Sequence, residues 1–256
     1  MGRVAMITGA AKNTGWATAK RFASEGYDVI ITSRKASEAE AAAEKLMAEH
    51  PGCKAWGMKM DLDSVPAIRE GFAHVATLVD HLDAFVANAA HLGVGVDIFT
   101  ATEEDYDAVM AVNAKGTFFC CQEAIKLMHE GSAICLISSI QSVKAVTGRT
   151  VYSSSKGAIN AMTRSLAIEL AYLGIRVNAL IAGAIHSERW DVQPPELTAF
   201  RRSRYPSGRE AMPEEIAAGV YYLCSDQSLT VTGTELTIDS GLGACALPYD
   251  KEWRNK

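Results

Sequence analysis

Apolar residues along this chain fall into two alternating rhythms. Short continuous runs at Val4–Thr8, Val29–Thr32, Cys53–Met60, Ala84–Ala87, Ala133–Ser138, Ile175–Ile181 and Glu235–Ile238 read as strands. A run without polar alternation suits a strand buried on both faces. Between them lie Thr14–Ser24, the Ala- and Glu-rich Glu38–Glu49, Val65–Leu78, Glu103–His129, Val151–Leu173 and Pro213–Cys224. Their apolar residues recur at three- and four-residue spacing, which predicts amphipathic helices. Strand and helix alternate, so the expected architecture is α/β: a doubly wound parallel sheet of about seven strands with helices on both faces. No repeat, low-complexity tract or linker interrupts the rhythm, and residues 1–256 are expected to form a single domain.

One segment departs from it. Between His186 and Pro213 stand Pro194, Pro195, Pro206 and Pro213, together with Arg189, Arg201, Arg202, Arg204 and Arg209. A long irregular insert in an α/β unit is either a binding loop or a solvated excursion. Residues 186–213 are read as a substrate-binding loop or lid.

Composition narrows the class. A hydrophobic share of 48% and a charged share of 21% over 256 residues exclude a disordered or fibrous chain. The net charge of −5 gives no electrostatic reason to bind nucleic acid or an anionic membrane. The six cysteines form no C-x-x-C pair and read as buried or free thiols. The six histidines are dispersed and make no H-E-x-x-H, so no metal site is expected. His129 reads as the end of the Glu103–His129 helix, where a cation suits the C-terminal dipole. The N-terminal run is too short for a signal h-region, and no stretch approaches the ~18 apolar residues of a membrane span. The expectation is a cytoplasmic soluble protein.

Candidate chemistry begins at the first strand. Thr8-Gly9-Ala10-Ala11-Lys12-Asn13-Thr14-Gly15 leads from strand to helix. Glycine in such a turn admits a phosphate to the backbone, and the helix N-terminus offers free N–H groups. Further on come Asp61-Leu62 after the third strand, Asn88-Ala89-Ala90 after the fourth, and Asn113 within Val112-Asn113-Ala114-Lys115-Gly116. Ser138-Ser139 closes the fifth strand, Tyr152-Ser153-Ser154-Ser155-Lys156 follows, and Arg176-Val177-Asn178 leads to Ala182-Gly183. Thr232-Gly233 and Asp239-Ser240-Gly241 lie near the end.

In this order the motifs resemble those of the short-chain dehydrogenase/reductase family, and the resemblance spans nearly the whole chain. Thr8, Gly9 and Gly15 match its T-G-x-x-x-G-x-G loop, Tyr152 and Lys156 its Y-x-x-x-K, and Ser139 stands thirteen positions before the tyrosine. Asn13, Ala90, Ala182 and Ser240 depart from the pattern. Asn13 replaces a glycine, and asparagine tolerates a left-handed backbone best after glycine. The resemblance implies a Rossmann-like single domain. It also implies catalytic residues Asn113, Ser139, Tyr152 and Lys156, and a dinucleotide held by Gly9, Lys12, Asn13, Thr14, Gly15, Ser33, Arg34, Asp61, Leu62, Asn88, Ala89, Tyr152, Lys156, Gly183, Ile185 and Ser187. Asp61 also reads as a plain N-cap for the helix at Val65.

These residue types suit the implied reaction. Tyr152 and Lys156 are four apart, so one helix face presents both. A free tyrosine has a pKa of ~10, and a positive charge from Lys156 and a bound nicotinamide would lower it toward the working range of a general acid/base. Ser139 can hydrogen-bond a carbonyl oxygen where charge develops. By resemblance Lys156 also holds the nicotinamide ribose, and Asn113 anchors a water behind it. NAD sites place an acidic residue at the end of the second strand. Here Thr32-Ser33-Arg34-Lys35 has none, while Arg34 and Lys12 can grip a 2′-phosphate, so NADP(H) is expected over NAD(H).

The expected function is interconversion of a ketone or aldehyde with its alcohol. Alternatives are a 3-oxoacyl-carrier-protein reductase and a catalytically weak nucleotide-binding regulator on the same fold. Family analogy implies a tetramer or dimer built through the helices at Glu103–His129 and Val151–Leu173. His91, Gln141, Arg149, His186, Arg189 and Trp190 fall where the family lines its substrate, which predicts a polar or anionic small molecule.

Overall fold

The computed structural model describes residues 2–246 and 249–250, the side chain of Arg189 lying outside that description. Seven parallel strands make one sheet: β1 (Val4–Ile7), β2 (Asp28–Ser33), β3 (Ala55–Lys59), β4 (Leu82–Ala87), β5 (Met128–Ser139), β6 (Arg176–Ala182) and β7 (Glu235–Ile238). Their spatial order is β3-β2-β1-β4-β5-β6-β7. Every apolar run read as a strand is one. Alternate residues of β1 show why the runs lack polar positions. Ala5 and Ile7 pack into one core with Phe22, Leu46, Ile216 and Val220. Val4 and Met6 pack into the other with Ile68, Phe72, Cys121 and Leu166.

Helices α1 (Asn13–Ser24) and α2 (Ala36–Glu49) cover the first face, and α3 (Val65–Leu78) covers the second. Ser64 caps α3 by accepting from Ala67 N at 3.3 Å, so the capping role weighed for Asp61 belongs to Ser64.

The helix expected over Glu103–His129 is three pieces. α4 (Glu103–Met110) runs into a π-helical turn at Ala111–Gly116, then into α5 (Thr117–Ala124). The helix stops there because sheet pairing captures the backbone: Leu82 N donates to Leu127 O at 2.8 Å, and Met128 begins β5. His129 therefore lies in a strand, not at a helix C-terminus. α6 (Thr150–Glu169) follows β5 and ends in a 3₁₀ turn at Ala171–Leu173.

The segment expected to be irregular holds two short helices, α7 (Glu188–Asp191) and α8 (Pro195–Ser203). Pro195 does not break α8 but starts it, where its missing N–H has no helical partner to lose. α9 (Pro213–Cys224) completes the first face. Chain order reverses between β1 and β4, which opens a crevice at the carboxyl ends of the strands. Among the described residues no helix is long and apolar enough to cross a membrane.

Candidate active site

A cleft of about 660 Å³ occupies that crevice. Its wall includes Gly9, Lys12, Asn13, Thr14, Gly15, Ser33, Arg34, Asp61, Leu62, Asn88 and Ala89, eleven of the positions expected to hold a dinucleotide. The β1–α1 turn is built for close approach. Gly9 takes φ +63° and Asn13 φ +51°, so Asn13 does adopt the left-handed backbone its glycine-like position calls for. A Cβ at Gly15 would lie 2.5 Å from Gly9 O. Asn88 locks the turn by donating Nδ2 to Thr8 O at 2.9 Å and Gly9 O at 3.1 Å. Thr8 Oγ1 accepts from Asn88 N and Ala89 N. Lys12, the N-cap of α1, makes no side-chain cap bond among the described residues. Uncapped N–H groups at the positive end of a helix, on a wall of glycines, fit the pyrophosphate of a dinucleotide.

The β2 end carries a residue that sequence reading missed. Glu38, in the first turn of α2, also lines the cleft. Its carboxylate accepts from Ser33 Oγ at 3.1 Å and pairs with Lys35 at 3.1 Å. Those bonds, Lys35 first, hold it below the usual carboxylate range. Glu38 stands five residues after the strand end at Ser33, in the first turn of α2. Arg34 and Lys12 are exposed, and neither joins an ion pair among the described residues.

The second group of residues gathers at the end of β5. Tyr152 and Ser139 are each 8% exposed and Lys156 3%. Lys156 Nζ donates to Ile137 O at 2.7 Å and lies 5.8 Å from the Tyr152 ring centre. Burial draws its pKa down to about 8. In the chain by itself Tyr152 lies above its ordinary value. Burial raises it, and the hydrogen bond with Ser139 and the Arg149 charge offset only part of that rise. The reason is that Lys156 is directed to a backbone carbonyl, while the phenol is desolvated.

Asn113 sits in the π-helical turn, a feature often found at functional sites. Its Nδ2 donates to His91 O at 2.9 Å and to Ser155 Oγ at 3.0 Å, and its Oδ1 accepts from His91 N at 2.7 Å. Ser155 Oγ in turn donates to Tyr152 O at 2.7 Å. His91 lines the cleft, so this chain of bonds joins the cleft wall to the α6 residues.

The residues expected to meet a substrate are not a row of free polar groups. Arg149 donates from Nε to Gln141 Oε1 at 3.2 Å and from Nη1 to Gly93 O at 3.1 Å, with its guanidinium 4.6 Å from the Tyr152 ring centre. His91 Nδ1 accepts from Gly93 N at 3.2 Å. His186 lies 3.0 Å from Glu210 Oε1 and 3.1 Å from Asp191 Oδ1, and it stacks on Trp190. Glu210, 2% exposed, also takes a two-point grip from Arg202 at 2.8 and 2.6 Å. That grip, offset in part by burial, is the main reason its pKa falls to about 2. Being partnered inside the protein, these groups no longer demand a polar ligand, and the inference of a polar or anionic substrate loses its ground. Arg189 lies outside the described side chains. Gly183 abuts Asp239 so closely that a Cβ would come within 2.6 Å of its Cα. Ile185 bridges to Ala211, and Ser187 is the N-cap of α7. None of these three bonds the Tyr152 group among the described residues.

Comparison with known proteins gives a consistent picture. A family model described as enoyl-(acyl carrier protein) reductase matches residues 9–243. The 3-oxoacyl-(acyl-carrier-protein) reductase of Aquifex aeolicus is 33% identical over 245 residues, covering 94% of this chain and 97% of its own. A glucose 1-dehydrogenase of Gluconobacter oxydans is 33% identical over 255 residues, covering 94% and 92%. A short-chain dehydrogenase/reductase from Serratia marcescens superposes with a TM-score of 0.88 at 30% identity, covering 95% of this chain and 98% of that one. A blue fluorescent protein from a metagenomic library, solved in complex with NADPH, gives 0.85 at 28% identity, covering 94% and 97%.

Proposed function

The chain belongs to the short-chain dehydrogenase/reductase family of nicotinamide-dependent oxidoreductases, and on that footing we propose that it interconverts a ketone or aldehyde with the corresponding alcohol, using NADP(H). The observation that carries this reading is the buried group at the β5 end. Ser139, Tyr152 and Lys156 stand together there, with Asn113 tied to Tyr152 through Ser155.

When bound, the nicotinamide gives or takes the hydride; the protein supplies orientation and the proton. Tyr152 Oη is the general acid in reduction and the general base in oxidation. Burial raises the phenol's pKa, which favours the form that donates to an oxygen gaining charge. Ser139 Oγ donates to that same oxygen and steadies it. Lys156, whose pKa of about 8 lies near the operating range, holds a positive charge beside the ring and can pass a proton onward. Asn113 fixes α6 from behind by its bonds to His91 and Ser155. Gly9, Asn13, Thr14 and Gly15 would receive the pyrophosphate, Asp61, Leu62, Asn88 and Ala89 the adenosine side, and Gly183, Ile185 and Ser187 the nicotinamide side. Arg34 and Lys12 read the 2′-phosphate. They stand unpaired among the described residues, whereas the nearby Glu38 is engaged by Lys35 and Ser33.

Residues 186–213 serve as the substrate loop, braced by the His186–Glu210–Arg202 bonds. Phe118 on α5, Ile168 on α6 and Tyr172 just beyond it expose large apolar surface, which supports a homo-oligomer, tetramer or dimer, joined through these elements.

Nicotinamide absorbance, followed with a panel of ketones that includes a 3-oxoacyl thioester and with both cofactors, tests the reading. Turnover with NADPH is expected. Tyr152→Phe should lower turnover by ~10²–10⁴-fold while NADPH affinity stays within about twofold. Tight cofactor binding with no turnover of any carbonyl would favour a nucleotide-binding regulator instead.

A further inference from the structure

At the opposite end of the sheet, away from the cleft, three residues from two strands converge. Asp83 lies in β4, His81 just before it, and His129 in β5. Their potential ligand atoms all lie within 4.8 Å of one another. We propose that His81, Asp83 and His129 form a site for a divalent transition-metal ion, with zinc as the ion their chemistry suits.

The geometry is tight on the atoms that matter. His129 Nε2 is 3.2 Å from Asp83 Oδ1, and His81 Nε2 is 3.3 Å from Asp83 Oδ2. Ligand atoms about 2.0–2.1 Å from a tetrahedral zinc stand about 3.3 Å apart, and each histidine nitrogen stands about that far from one of the two Asp83 carboxylate oxygens. The second ring nitrogen of His129 fixes its tautomer. Nδ1 is 2.8 Å from Glu130 O, and a carbonyl only accepts, so Nδ1 carries the hydrogen. In the neutral ring Nε2 then presents a lone pair toward a carboxylate oxygen. That lone pair is the one a metal ion would take. A histidine that donates its far N–H to a backbone carbonyl is also the usual posture of a metal ligand. The two rings stand edge to face with their centres 5.3 Å apart.

The backbone is bent to bring this about. The β4–β5 register runs Leu82↔Met128 and then Ala84↔Ala133, so residues 129–132 bulge from the ladder. Gly131 takes φ +93° within the bulge, and Ser132 Oγ accepts from His129 N at 3.1 Å. A bulge re-aims a side chain, and this one places His129 over Asp83. Asp83 Oδ2 also accepts from Val4 N at 2.6 Å, which orients the carboxylate and leaves lone pairs for a metal. His129 is 49% exposed and His81 28%, so an ion can enter and a water can complete four-fold coordination. The donor set of imidazole and carboxylate suits zinc and its neighbours in the first-row series. An ion there would tie the starts of β1, β4 and β5 together, without touching the Tyr152 group.

The test is zinc titration of the full untagged chain by chelator competition, beside His129→Gln and His81→Gln. One equivalent of zinc is expected on the parent protein, with at least a tenfold loss of affinity in each variant. Added zinc should raise the Tm of the parent and leave the variants' Tm unchanged, and turnover should be the same in all three. Cobalt should give visible d–d bands of tetrahedral strength without thiolate charge transfer. No uptake by the parent, undiminished affinity in both variants, or a thiolate band pointing to the cysteines would each overturn the assignment.

Discussion

Replacing Lys156 with methionine should abolish turnover and change the pH dependence of stability in a defined direction. The lysine is 3% exposed, and burial brings its pKa from 10.5 to about 8. In the unfolded chain it titrates near ~10.4. The folded state therefore binds fewer protons than the unfolded state between those two values, and stability rises with pH across that window. Below about pH 8 the ammonium is present in both states and the gain is lost. The fall from 10.5 to about 8, at ~1.36 kcal/mol per pH unit, corresponds to roughly 3 kcal/mol. Most of it, ~2–3 kcal/mol, falls between about pH 7 and pH 10. Methionine fills a similar volume and carries no proton, so the variant lacks this gain. Urea unfolding of both proteins across that range reads the effect as a difference. Tyrosines and cysteines shared by both chains cancel. Wild type minus variant should climb by ~2–3 kcal/mol from pH 7 to pH 10. A flat or falling difference would refute the view that a desolvated ammonium sits beside Tyr152.

Three further outcomes follow from the structure. Arg34→Asp should cut the NADPH over NADH preference in kcat/KM at least tenfold, because a charge-assisted bond to the 2′-phosphate is worth ~1.5–3 kcal/mol and the new carboxylate adds to the repulsion from Glu38; an unchanged ratio removes Arg34 from that role. Gly15→Ala should weaken cofactor binding by more than tenfold in fluorescence titration, since its Cβ would lie 2.5 Å from Gly9 O and 2.6 Å from Asn88 Nδ2 and force the turn open; binding equal to wild type would show that the turn yields without loss. Glu210→Gln should lower Tm by several degrees at pH 7, as Arg202 and His186 lose a shared buried charge worth ~1–3 kcal/mol, and the deficit should vanish as pH falls toward about 2, where the wild-type carboxyl is protonated too; a deficit constant with pH would mean that packing, not charge, holds the loop.

Where the sequence was legible, burial itself wrote the pattern. β1, β2, β4, β5 and β6 bury both faces, so their apolar runs are continuous and hard to miss. Asn13 could be read as a left-handed residue because its steric problem is local to one residue. Reading failed where tertiary pairing set the backbone. Cys120, Cys121 and Ala124 continue an apolar helical pattern toward His129, yet Leu82 claims Leu127 and the chain becomes a strand. The π-helical turn around Asn113 leaves no mark in the periodicity, although it directs that side chain to His91 and Ser155. Glu38 is hard to read from spacing because it lies beyond the strand end, where the β2–α2 turn brings position 38 back to Ser33. The partners that satisfy Arg149 and His186 lie up to 56 residues away and are invisible to local spacing. The same limit explains the histidines. They are dispersed along the chain, yet the bulge at residues 129–132 carries His129 across to Asp83. Backbone irregularities set by strand pairing, not residue spacing, bring together the groups at both ends of this sheet.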